Sequence, residues 1–117
     1  MRTATIKSLK LRLEKLCADK VRARYKVCRA CKMTGNDLET AHIVSKKHAR
    51  TRFVLENLLL LHHSCHMYFH DHPAEFIEFV KKEIGLYEYE RLVREGNKTQ
   101  MVTKAWLEEI LEKLEQA

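Results

Sequence analysis

The chain has 117 residues, 45% of them hydrophobic and 32% charged, with a formal net charge of +6. That length fits one domain with a small core, the composition excludes a disordered tail, and no apolar run approaches the roughly 20 residues of a membrane span. The charge is lopsided: residues 1–72 carry 15 Lys+Arg against 6 Asp+Glu, and residues 73–117 carry 7 against 10. A basic front half calls for a polyanion such as nucleic acid, although an ordinary solvated surface gives the same count. The N-terminus lacks the apolar core of a signal peptide. The expected compartment is therefore the cytoplasm, where cysteines pair with metals more often than with each other.

In chain order, residues 5 to about 24 read as a helix. Leu9, Leu13, Leu16 and Lys20 share one face, with Cys17 and Val21 beside it. Cys17 has no partner at metal spacing and reads as a small buried apolar residue. The period breaks at Tyr25, and Cys28-Arg-Ala-Cys31 falls in a turn ahead of the loop signal Thr34-Gly-Asn-Asp37. An extended segment over Thr40 to Val44 follows, then a basic loop with Lys46, Lys47, Arg50 and Arg52. Leu58 to Leu61 is a second strand of a hairpin by context, though its length alone does not exclude helix. A short helix beginning near Ser64 carries His66 and His70.

Three helices complete the chain. Pro73 suits the first turn of one that Gly85 ends, and Leu86 to about Glu95 forms the next. Thr103 caps the last, with Val102 and Leu107 at the two positions of a hydrophobic staple. Their aromatics and leucines read as generic core.

The residues that carry chemistry lie between Cys28 and His72, a stretch holding three of the four cysteines and all seven histidines. Cys28/Cys31 and His62/Cys65 are two pairs with two-residue spacers, set 30 residues apart. Each spacer lets both side chains reach one ion from a tight turn, and together they supply the four ligands of a closed zinc site. His63 adjoins His62 and competes with it as the fourth ligand. A closed site has no open position, so this zinc is structural. His66 and His70, four apart on a helix, point the same way and can share an ion. His42, on the preceding strand, can face them, and the Asn57 amide can brace the loop between the strands.

The order His42, Asn57, His66, His70, with Glu56-Asn57-Leu-Leu-Leu-Leu-His62-His-Ser-Cys65-His66, resembles the HNH nucleases of the ββα-metal class. It is most similar to small phage HNH proteins that include the Rap-type recombination endonucleases, through His42-Ile-Val-Ser45-Lys46 and Thr51-Arg52-Phe53. The resemblance covers roughly residues 12 to 76. It implies an α+β fold: a zinc-stapled ββα-metal (HNH) core, about 25–72, flanked by an N-terminal helix and a C-terminal helical segment, about 73–117, in a single nuclease domain.

The resemblance also implies a mechanism. His42 is the general base, His66 and His70 hold one divalent ion, Mg2+ or Mn2+, and Asn57 holds the hairpin loop. Lys46, Lys47, Arg50 and Arg52 contact DNA. The activity expected is metal-dependent hydrolysis of DNA phosphodiester bonds, with branched or recombination DNA one candidate substrate beside nicked duplex and single strands, in the host cytoplasm if the chain is phage-encoded. A homodimer is one way for such an enzyme to cut two strands. Two departures stand out. Ala41 occupies the place where many members carry a third metal ligand, and His62 replaces the usual cysteine. The alternatives are a non-catalytic zinc module that binds nucleic acid, for which Ala41 is the best argument, and a protein-interaction domain built on the acidic helices.

Overall fold

The computed structural model describes residues 4–117. Helix α1 spans Ile6–Tyr25. It starts at a reciprocal capping box, in which the Thr5 hydroxyl accepts from the Ser8 amide at 3.0 Å and the Ser8 hydroxyl accepts from the Thr5 amide at 2.9 Å. It ends where Lys26 turns left-handed at φ 65°, its amide donating to the Arg22 carbonyl. The stripe that is buried runs through Leu9, Leu13, Cys17 and Val21, one residue every turn. Leu16 flanks this stripe, and Lys20, expected on it, instead reaches the chain's last carbonyl at 3.1 Å. Cys17 is core, as its spacing indicated, and burial pushes its thiol up to about 11.

Strands β1 (Leu38–His42) and β2 (Leu58–His62) pair antiparallel, with His42 opposite Leu58 and Leu38 opposite His62. The first strand lies two residues earlier than the expected Thr40–Val44. It stops at His42 because the next backbone groups are taken: the Ile43 amide donates to the Asn57 carbonyl, and both backbone groups of Val44 are bound by the Asn57 side chain. β2 is buried along its leucines because both of its faces are covered. Leu58 and Leu60 pack on α1 with Phe53, Leu107 and Leu111. Leu61 packs the other way, with Ala41 and Cys28, under Phe69, Phe76 and Phe79. Phe69 lies 4.9 Å from Phe79 and 5.3 Å from Phe76, centroid to centroid, within the range of favourable aromatic pairs.

The segment between the strands is not an open basic loop. It contains two single-turn 3-10 helices, Ala49–Thr51 and Leu55–Asn57. Helix α2 spans His63–Asp71, α3 Pro73–Ile84, α4 Leu86–Gly96 and α5 Lys104–Gln116. Gly85 makes the α3–α4 joint at φ 88°, a conformation that side chains with a Cβ disfavour. Thr103 caps α5 through the Trp106 amide at 3.1 Å, and Val102 and Leu107 both join the core as a staple requires.

These last helices are more than generic packing. The C-terminus of α4 presses on the inter-strand segment so closely that a Cβ on Gly96 would meet Val44 Cγ1 at 2.7 Å. The His48 Nδ1–H donates to the Gly96 carbonyl at 3.0 Å, and Arg50 pairs with Glu95 at 3.2 Å. No helix among the described residues is long and apolar enough to cross a membrane.

Candidate functional site

The four-ligand knuckle is assembled as its spacing indicated. One ligand atom from each of Cys28, Cys31, His62 and Cys65 lies within 4.8 Å of the others, close enough for the four to share one tetrahedral zinc after a small inward adjustment. The Cys28–Cys31 turn closes through the Lys32 amide on the Cys28 carbonyl at 2.9 Å, with Lys32 left-handed at φ 66°. The Arg29 amide then ties the turn to β2 by donating to the Leu60 carbonyl at 2.8 Å, and the Arg29 guanidinium pairs with Glu83 of α3 at 2.5 Å.

The choice between the adjacent histidines falls to His62. Its Nδ1 lies 3.0 Å from Cys31 Sγ, while its Nε2–H donates to the Thr34 carbonyl at 3.1 Å. That bond fixes the tautomer and leaves Nδ1 as a ligand. His63 turns outward to Glu39. The loop passes so close to His62 that a Cβ on Gly35 would stand 2.7 Å from Nε2.

The chemistry of the donors also fits a cation. Burial pushes the Cys28 thiol up, yet backbone amides of Cys31 and His62 aimed at it bring it down to about 7. Cys65 goes the other way, to about 11, through burial and the two neighbouring sulfurs. Three crowded sulfurs resist joint ionisation unless a metal neutralises them. A structural zinc fits this set.

A second feature is a cleft of about 530 Å³ beside the sheet. Its walls include His42 from β1, His66 and His70 from α2, and Lys46 and Arg52 from the inter-strand segment. His42 is half-buried. Its Nε2–H donates to the Arg52 carbonyl at 3.0 Å, leaving Nδ1 with a free lone pair when the ring is neutral. Burial holds this imidazole below its ordinary value, and the Arg52 and Lys46 charges act in the same direction.

Asn57 is fully buried and holds the segment that presents the Arg52 carbonyl. Its Oδ1 accepts from the Val44 amide at 2.8 Å, and its Nδ2 donates to the Val44 carbonyl at 3.0 Å and the Thr51 carbonyl at 3.1 Å. One amide therefore ties the exit of β1 to the residue before Arg52.

Two buried side-chain atoms among the described residues lack a hydrogen-bond partner, Thr40 Oγ1 and Arg52 Nε. Both residues line this cleft. Unpaired buried polar atoms are rare in folded proteins, and here both belong to residues of one cleft.

Not every basic residue gathers at the cleft. Arg50 is held on the far side of its turn by Glu95 and Gln100, each at 3.2 Å. Lys47 lines a neighbouring pocket instead. Arg52 reaches the cleft but its guanidinium already pairs with Glu14 of α1.

Sequence reasoning missed Glu39. Its carboxylate accepts the His66 Nδ1–H at 2.7 Å and the His63 Nδ1–H at 3.2 Å. Burial raises this carboxyl, but the two imidazoles bring it below its ordinary value. The signal was its place on β1, two residues from Ala41 and so on the same side of the strand.

Residues 28–73 match the family model described as HNH endonuclease. The match spans the knuckle, both strands and α2, and leaves α1 and most of α3–α5 outside. It supports the HNH family for this stretch, and with it nucleic acid as the substrate class and divalent metals as cofactors. No curated protein and no solved structure matches the chain significantly. Within the HNH stretch, the Cys3His group is the one set of three or more potential metal ligands that the described residues bring together. His66 and His70 both line the cleft, and Ala41 offers no third ligand beside them.

Proposed function

We propose that this chain is a metal-dependent DNA endonuclease that hydrolyses phosphodiester bonds by an HNH mechanism. The observation that carries the reading is the cleft that gathers His42, His66 and His70 beside Lys46 and Arg52. In this reading His42 takes the proton of the attacking water at Nδ1, because Nε2–H is committed to the Arg52 carbonyl. Asn57 keeps that carbonyl, and hence the imidazole, in place. His66 and His70 hold one divalent ion, Mg2+ or Mn2+, which when bound stabilises charge on the scissile phosphate and the leaving 3′ oxygen. Glu39 fixes the His66 tautomer so that Nε2 faces the ion. Lys46 and Arg52 bind phosphate oxygens. The products are 5′-phosphate and 3′-hydroxyl ends.

The helices outside the matched stretch belong to the same nuclease domain, because α4 braces the inter-strand segment and α5 packs on α1. Branched or recombination DNA is the substrate class we favour, by the resemblance to the Rap-type enzymes at His42–Lys46 and Thr51–Phe53. The test is nicking of supercoiled plasmid by wild type and His42→Ala with Mg2+, with Mn2+ and with excess chelator. Metal-dependent nicking lost in the variant supports the reading; equal cutting by both proteins removes His42 from the base role.

One observation favours a second reading, a zinc module that binds nucleic acid without cutting it. Ala41 is buried, with 1% exposure, at the position where a third ligand is missing. That reading predicts salt-sensitive DNA binding and no strand scission with any divalent ion.

A further inference from the structure

A second pocket of about 270 Å³ adjoins the cleft. The two share Lys46, Arg52 and Phe53 as lining and so lie side by side, the second forming a groove next to the cleft. Beyond the shared residues the groove is basic and carries an aromatic ring. Lys10 enters from α1, Lys47 from the inter-strand segment and Trp106 from α5. Lys10, Lys46 and Lys47 have no ion-pair partner among the described residues, unlike Arg50 and Arg52, which are held by Glu95 and Glu14. Trp106 is only half-buried although it packs against the core. Three uncompensated ammonium groups around an accessible indole suit a sugar–phosphate chain whose base lies on the ring.

We infer that this groove binds the nucleotide next to the scissile phosphate, with Lys10 and Lys47 on its phosphates and the Trp106 indole against its base. The inference rests on the nuclease reading for which phosphate is cut, and on the groove alone for the binding of a strand. Two of its residues, Lys10 and Trp106, lie outside the stretch that matches the HNH model. The strand path is therefore built by this chain's own flanking helices.

Trp106 is the single tryptophan of the chain, so the emission comes from this one position, which also borders a pocket lined by Arg91 and Gln100. The experiment titrates a short end-labelled DNA duplex into zinc-loaded His42→Ala protein, following label anisotropy and tryptophan emission together. The same titration is run with Lys10→Glu and, as a control for net charge, Lys82→Glu added. Lys82 lies on α3 and lines neither the cleft nor the groove. Circular dichroism verifies that each variant is folded.

Expected are a quench of Trp106 that tracks the anisotropy, roughly tenfold weaker binding in Lys10→Glu, and a salt dependence flattened by about one unit of slope. Lys82→Glu should change little. Unchanged Trp106 emission on saturated protein, an equal loss from both lysine variants, or no binding at all overturns the inference. Plasmid nicking by the wild type separates the two ideas. Nicking with a silent Trp106 removes the groove and leaves the nuclease, whereas a quench without nicking in any divalent ion removes the nuclease and leaves the groove.

Discussion

His66 donates its Nδ1 proton to the Glu39 carboxylate across 2.7 Å. The bond turns an otherwise mobile helix-surface imidazole into one of fixed tautomer, with Nε2 free to take a cation. In the proposed mechanism it would also supply negative charge behind the ion-binding imidazole. Replacement of Glu39 by Gln keeps the size of the side chain but removes that charge. In the Glu39→Gln protein, the Mg2+ or Mn2+ concentration giving half-maximal nicking should rise about 10–100-fold. Zinc content, measured by a colorimetric chelator after denaturation, should stay the same. An unchanged Mg2+ and Mn2+ requirement would reduce Glu39 to a surface contact.

The pH dependence should carry the signature of His42. As a general base it acts in the neutral form, and burial, aided by the Arg52 and Lys46 charges, holds its folded pKa below the ordinary value. Nicking efficiency should therefore rise with pH, with its acid limb below about 6.5, and level off above that. Lys46→Gln removes a cation that disfavours the imidazolium, so the acid limb should move to higher pH. The same depressed pKa makes the unfolded chain bind more protons, so His42 contributes stability that is complete above about 6.5 and lost as pH falls through its folded pKa.

Gly35 tests the zinc knuckle without touching a ligand. Its φ is not left-handed, so alanine suits the backbone, but the added methyl would stand 2.7 Å from His62 Nε2. The imidazole must then move and give up its bond to the Thr34 carbonyl. Gly35→Ala should release zinc to a competing chelator at about 10-fold lower concentration than wild type. Complete removal of zinc should abolish the cooperative thermal transition, because the knuckle anchors β2, α2 and α3 together.

Asn57 answers a different question, whether the inter-strand segment is held by one side chain. Asn57→Ala leaves the Val44 amide and two carbonyls without partners in a buried setting. The expected loss in urea unfolding is roughly 3 kcal/mol. Asn57→Asp keeps the acceptor for Val44 but turns a buried carboxylate oxygen toward the Val44 and Thr51 carbonyls, and should destabilise at least as much at neutral pH. Nicking should drop in both, in step with displacement of the Arg52 carbonyl from His42.

The four-ligand cluster was legible in the sequence. The knuckle was readable because two-residue spacers act locally: whatever the fold, a tight turn brings Cys28 to Cys31 and His62 to Cys65. The helix spacing of His66 and His70 is local in the same sense. The α5 cap at Thr103 and the Gly85 joint followed from single residues with one conformational purpose. Less legible was the strand boundary at His42, which depends on an amide fourteen positions past Ile43 in the chain.

The sequence by itself determined the local chemistry: four zinc donors in two turns, a histidine pair on one helix face, an apolar stripe on α1 and an uneven distribution of charge. Only the tertiary structure decided which groups face one another. It gave His62 to the knuckle and His63 to Glu39, brought Glu39 under His66, and drew Arg50 and Arg52 away to acidic partners on α4 and α1. It also set Lys10 and Trp106 on one groove although 95 residues lie between them. The physical reason is that spacing constrains contacts within a turn or two, whereas contacts between elements depend on how apolar faces pack. The leucines of β2 can bury both their faces only when α1 and α5 cover one and α2 and α3 the other.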